Sequence, residues 1–139
     1  MEVHAFAASR RAVLEEAGGV AAEGFPMTSC WVDGFPAQIT LPLVLAVYSS
    51  SGTDYDMRRF IIATSPQGER VGLLEFAWEW PDNPGSPVKF RVFAHYLLMS
   101  LYSPGVHTIE LYENPNGEPE FAFPLPVMRL NPLTGTGTP

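Results

Sequence analysis

The chain of 139 residues has one cysteine, few basic side chains and no long uncharged apolar run. A lone Cys30 excludes an internal disulfide and any zinc site built from several cysteines. Eight Lys and Arg stand against fifteen Asp and Glu, for a net charge of −7. Nucleic-acid affinity comes from cations that neutralise phosphates, so this balance speaks against a general nucleic-acid binder. No window approaches the roughly 18 apolar residues that a membrane helix needs. The N-terminal Met1-Glu2-Val3-His4-Ala5-Phe6 lacks the basic start of a signal peptide. The expectation is a cytoplasmic chain without membrane association. Nucleophile-elbow, phosphate-loop and dinucleotide fingerprints are missing as well.

Helical patterning is equally scarce. Fourteen prolines and twelve glycines cut the chain into short segments, which suits strands and turns better than long helices. With 46% hydrophobic residues, a chain of this length can bury roughly two-thirds of its unfolded surface without a staple. Residues 3–9 read as a first strand. Residues 10–17 (RRAVLEEA) form either one short helix ended by Gly18-Gly19 or a strand–turn–strand. A helix so short would need tertiary support. Residues 43–48 are apolar on both faces, as in a strand enclosed by a sandwich.

Pro66 and Gly68 set a hairpin turn. In its second arm Leu74, Phe76, Trp78 and Trp80 share one face, and Glu75, Ala77 and Glu79 the other. Val88, Phe90, Val92, Ala94, Tyr96 and Leu98 recur at period two, against Lys89 and Arg91 on the opposite face. The β-branched and aromatic run after Pro87 favours strand over helix there. Ile109 and Leu111 point inward, and Phe121, Phe123, Leu125 and Val127 share one face of the last strand. Pro124 and Pro126 strip backbone donors from one side of that strand, which places residues 121–130 at a sheet edge. The expected fold is all-β, a two-layer antiparallel β-sandwich of about seven or eight strands over residues 1–130. Residues 131–139 (NPLTGTGTP) have little to bury and read as a flexible tail.

The corner Ser103-Pro104-Gly105, the alternating stretch Val106-His107-Thr108-Ile109-Glu110-Leu111-Tyr112, and a last apolar strand resemble the penultimate-strand motif of bacterial β-sandwich modules. The hairpin turning at Gln67-Gly68 and the opening segment at Ala5 to Ala8 fit the same style. The chain thus resembles a group of small, uncharacterised bacterial β-sandwich proteins, while residues 10–24 depart from that rhythm. The resemblance implies a sandwich fold and a bacterial origin; it brings no activity and no catalytic residues.

Candidate chemistry is thin. On one strand Glu75 and Glu79 stand about 13 Å apart, too far for a glycosidase pair, which needs roughly 5 to 10 Å. Asp54 and Asp56, about 7 Å apart on one side of an extended chain, are the weak candidates for a calcium site. His4, His95 and His107 lack metal-ligand spacing, and no metal or other cofactor is expected. Ser29 and Trp31 give Cys30 no base, so it reads as a small hydrophobe. Trp78 and Trp80, with Trp31, are the candidate ligand-binding residues: two indoles on one face could offer a platform to a sugar or peptide, although their parity with Leu74 and Phe76 is that of a core. The favoured function is a non-enzymatic interaction module that binds a protein partner or forms a homodimer through strands apolar on both sides. The alternative is a carbohydrate- or small-ligand-binding sandwich, and a hydrolytic enzyme has no supporting spacing.

Overall fold

A computed structural model describes residues 1–50, 57–80 and 85–130. Among these residues every regular element is a strand: β1 (Glu2–Ala8), β2 (Arg11–Leu14), β3 (Val20–Glu23), β4 (Cys30–Val32), β5 (Ala37–Ser49), β6 (Arg58–Thr64), β7 (Arg70–Ala77), β8 (Lys89–Leu101), β9 (Gly105–Tyr112) and β10 (Phe121–Arg129). The all-β expectation is met. Ten strands replace the seven or eight expected, because β2, β3 and β4 are too short to carry a readable alternation. The helical option over residues 10–17 is wrong. Arg11–Leu14 pairs antiparallel with Val20–Glu23, and the turn between them uses Gly18 and Gly19 at φ 92° and 87°, where other residues are strained. Residues 131–139, the expected tail, lie outside the described residues.

The strands make three sheets, ordered β1-β5-β8, β4-β10-β9-β6-β7 and β2-β3. The five-stranded sheet curls into a half-barrel instead of lying flat as one layer of a sandwich. Its inner face and that of the three-stranded sheet share one core, with Leu43, Leu45 and Val47 from β5, Ile61 and Ala63 from β6, Leu97, Met99 and Leu101 from β8, Ile109 and Leu111 from β9, and Leu125 and Val127 from β10. The inward parities expected for β9 and β10 are those observed. Between β6 and β7, Gly68 N–H donates to the Ser65 carbonyl at 2.9 Å, closing the expected hairpin.

Strand β8 reverses its expected face. Phe93, Leu97, Met99 and Leu101 are buried, while Phe90, Tyr96 and Leu98 of the opposite parity are exposed. Lys89 and Arg91 share the buried parity, but they stand at the N-terminal end of the strand, where long side chains reach solvent.

Strand β10 also departs from expectation. It is flanked on both sides: β9 pairs antiparallel with Phe121 to Val127, and β4 pairs parallel with Val127 to Arg129. A ladder to β9 needs the donors of Phe123, Leu125 and Val127, which turns the donorless nitrogens of Pro124 and Pro126 to the other side. Beyond Pro126 the donors return, and there β4 joins.

The sheets meet along two seams. At one, β7 crosses β8 so closely that a Cβ on Gly72 would lie 3.0 Å from the Leu98 carbonyl oxygen and 3.2 Å from Met99 Cγ. At the other, Phe6 of β1 packs edge-on against Phe123 of β10 at 5.0 Å. Arg59 of β6 is buried, and its Nε donates to Glu120 Oε1 at 2.6 Å, tying β6 to the segment entering β10.

Two stability predictions follow from this geometry. In urea unfolding, Gly72→Ala is expected to lose about 2 kcal/mol through overpacking against a backbone carbonyl. Gly34→Ala, whose Cβ would meet nothing within 4 Å, should stay within ~0.5 kcal/mol of the parent. Glu120→Ala leaves a buried guanidinium without its carboxylate and should cost about 3 kcal/mol. Glu75→Ala, which breaks the exposed Arg58–Glu75 pair, should cost under ~1 kcal/mol. Equal losses within either comparison would contradict the packing described.

Candidate functional site

Two regions bring chemically distinctive side chains together. The first is an aromatic cluster along the β7–β8 seam. Phe76 stacks on Trp78 at 5.6 Å, Trp78 meets Phe93 at 5.1 Å, and His95 lies 4.4 Å from Phe76 and stacks on Phe93 at 5.0 Å. Alternation along β7 puts Phe76 on the inner face, and the register of His95 with Leu43 turns the imidazole to the same interior. Trp78 and Trp80 are 8% and 9% exposed and cross at 79° with centroids 6.0 Å apart. They are therefore packed edge to face at the seam and do not lie side by side as a flat platform. Arg59 sits 6.0 Å from the Trp78 ring, adding a cation–π contact. Both indole N–H groups and His95 Nε2 are buried with no hydrogen-bond partner among the described residues. A depression of about 680 Å³ lined by Met57, Arg58, Ala77, Trp78 and Glu79 opens beside the cluster.

The remaining sequence candidates do not converge. Trp31 lies on β4, with three strands between it and β7, and its indole donates to Ser29 Oγ at 3.1 Å. Asp54 and Asp56 lie outside the described residues. Glu75 faces Arg58 at 3.4 Å. Cys30 is half-buried, and desolvation pushes its thiol pKa up, which makes it a poor nucleophile. His107 is fully buried, its Nδ1 donating to the Gly105 carbonyl at 3.1 Å. The three histidines stand on three different strands, and among the described residues no three His, Cys, Asp or Glu side chains gather as a metal site. No described helix is long and apolar enough to cross a membrane.

The second region is the outer face of the three-stranded sheet. Cross-strand register gives its rows: Glu2–Tyr48–Phe90, Ala5–Ala46–Val92, Ala7–Val44–Ala94, Pro42–Tyr96, Thr40–Leu98 and Gln38–Ser100. The ends carry Glu2, Gln38 and Ser100, but most members between them are apolar, which is unusual for a face turned away from the core. An irregularity between Val3 and Ala5 shifts the register at His4, and the His4 ring meets Tyr48 and Phe90 at 6.1 and 6.0 Å.

The β2–β3 hairpin lies across the middle of this face. It buries Val44 and Ala46 beneath it together with its own Ala12, and Tyr96 Oη donates to the Ala12 carbonyl at 3.0 Å. On either side of this cover the face stays open. Phe90, Tyr96 and Leu98 are 50%, 54% and 57% exposed, and a groove of about 350 Å³ between the hairpin turn and β8 is lined by Leu14, Phe90 and Val92. The alternation along β8 marks this parity as an apolar face without distinguishing it from the core. The available signal was that Leu97, Met99 and Leu101 make the other parity apolar too.

No family model, curated protein or solved structure matches the chain.

The aromatic cluster makes a pH prediction. Burial lowers the His95 pKa below the ordinary 6.5, so the folded chain favours the neutral ring. As pH falls through 6.5 the unfolded chain takes up this proton first, and stability is lost in that window. Urea midpoints measured down through this range should fall for the parent and fall less for His95→Phe, which keeps a ring in the stack. Parallel curves would contradict a buried neutral His95.

Proposed function

We propose that this chain is a non-enzymatic interaction module, a sandwich-like β-fold that docks a protein through the outer face of its β1-β5-β8 sheet. The observation that carries this reading is the line of half-exposed Phe90, Tyr96 and Leu98 along β8. Contiguous apolar patches on soluble domains mark interaction surfaces. The hairpin contributes Val13 and Leu14, also exposed, so the apolar surface continues across the cover. A cytoplasmic location belongs to the same proposal, in keeping with the single unpaired Cys30.

A second reading, a sandwich that takes a carbohydrate or small ligand near Trp78 and Trp80, draws on the depression beside Trp78 and on the indole N–H groups, which have no partner among the described residues. It is the weaker of the two, because both rings are nine-tenths buried and offer little surface to stack on.

A photoreactive side chain at position 98, compared with one at position 73 on the outer face of the other sheet, tests the docking face. Leu73 is 53% exposed and so is matched for accessibility. Irradiation in cell extract should give covalent adducts to polypeptide from position 98 and few from position 73. Equal or absent labelling from position 98 would sink the proposal.

A further inference from the structure

We infer that Asn116 is a site of spontaneous covalent modification, at which its carboxamide condenses with the Gly117 backbone nitrogen, expels ammonia and is converted by water into aspartate and isoaspartate. The argument begins in the sequence. The chain has four asparagines, Asn83, Asn114, Asn116 and Asn131, and they are followed by Pro84, Pro115, Gly117 and Pro132. Condensation needs a backbone N–H on the following residue, and proline has none. Glycine, without a Cβ, leaves that nitrogen unshielded and its backbone free to rotate. Three asparagines are thereby barred from the reaction, and the fourth is followed by the residue that favours it most.

The fold leaves this pair open to water. Residues 114–117 form the turn between β9 and β10, with Pro115 at the position that the commonest β-turn prefers for it. Gly117 N–H donates to the Asn114 carbonyl at 2.9 Å, and Asn116 N–H to Asn114 Oδ1 at 3.0 Å. The Asn114 side chain is thus engaged, whereas the Asn116 carboxamide is exposed and without a partner among the described residues. To attack, the Gly117 nitrogen gives up a single exposed turn bond, which water replaces.

Hydroxide takes the Gly117 amide proton, and the nitrogen attacks Asn116 Cγ. As that bond forms, the Cγ–Nδ2 bond breaks, and the departing nitrogen takes up a proton and leaves as ammonia. The product is a five-membered imide. Water opens it at Cγ to give aspartate, or at the backbone carbonyl to give isoaspartate, whose main chain runs through the former side chain. Nothing is oxidised or reduced. Either product adds one negative charge to the −7. Isoaspartate also inserts a carbon into the main chain between the Asn114 carbonyl and the Gly117 N–H, so the turn bond can no longer close in its original geometry. Two other residues precede glycine in exposed turns, Asp33 and Gln67. The ionised Asp33 carboxylate resists attack, and Gln67 would have to close a six-membered ring, so both react more slowly.

The test is peptide mass mapping of the purified full chain held at mildly alkaline pH, with the same chain unfolded in urea alongside. The peptide that carries Asn116 should gain the mass difference between an amide and an acid, and fragmentation should find both aspartate and isoaspartate at 116. Asn114 in the same peptide should stay unchanged, and conversion should speed up with hydroxide concentration. Gly117→Ala, whose Cβ would lie 3.4 Å from the Asn114 carbonyl oxygen, an ordinary contact, should slow the reaction severalfold. Conversion in urea with none in the folded chain overturns the inference, since the turn would then protect the pair. Aspartate without isoaspartate also overturns it, because direct hydrolysis needs no Gly117 nitrogen, and so does an unaltered Asn116 in both samples.

Discussion

Two sheets of unequal width can enclose one core only if both gaps between their rims are shut. The rest of this molecule depends on how that is done. At the β7–β8 rim the backbones come together so tightly that a Cβ on Gly72 would crowd the Leu98 carbonyl at 3.0 Å, and the edge-on contact of Phe76 with Phe93 seals the adjoining stretch. At the β1–β10 rim the strands are neighbours joined by the Phe6–Phe123 contact. Pro124 and Pro126 leave that flank of β10 without the donors a ladder would use. The two sheets therefore stay separate sheets around a common interior, and the five-stranded one bends to reach both rims.

The polar groups follow from the same enclosure. Arg59 is carried inside by the alternation of β6 and needs the Glu120 carboxylate within hydrogen-bond reach, because an isolated buried cation is too costly to keep. Trp78 and Trp80 close the end of the cluster with their apolar bodies, and their N–H groups find no partner among the described residues. His95 is held among phenyl rings for its shape, and burial disfavours its charged form. Rings that look like a binding platform along the chain are thus used as packing.

Closing the core this way leaves a strand pair, β5 and β8, that is apolar on its outer side as well. The hairpin packs on the centre of that side, where its Ala12 and the Val44 and Ala46 of β5 are all buried, and is held by the Tyr96 hydroxyl. A two-stranded hairpin is marginal alone, so this sheet supports its own cover. Phe90, beside the hairpin turn, and Leu98 towards the other end of β8 stay half-exposed. The proposed function derives from that geometry.

The sequence alone determined the class of structure and much of its local detail. Alternation in 109–112 and 121–127, the Pro66–Gly68 turn and the both-sided run at 43–48 each reflect a short-range rule, in which side chains two apart share a face and turn residues accept particular φ angles. The two prolines were legible as donor loss on one side of β10, though not the fact that β4 would take up the pairing after them. Which face of β8 turns inward was decided only by the tertiary structure, because both parities are apolar and hydrophobicity alone cannot rank them. The same holds for the hairpin of β2 and β3, whose propensities are ambiguous until the sheet beneath offers a surface. It holds again for the tryptophans, where period-two spacing fixes a shared side but only the approach of β8 decides whether that side meets water or packing.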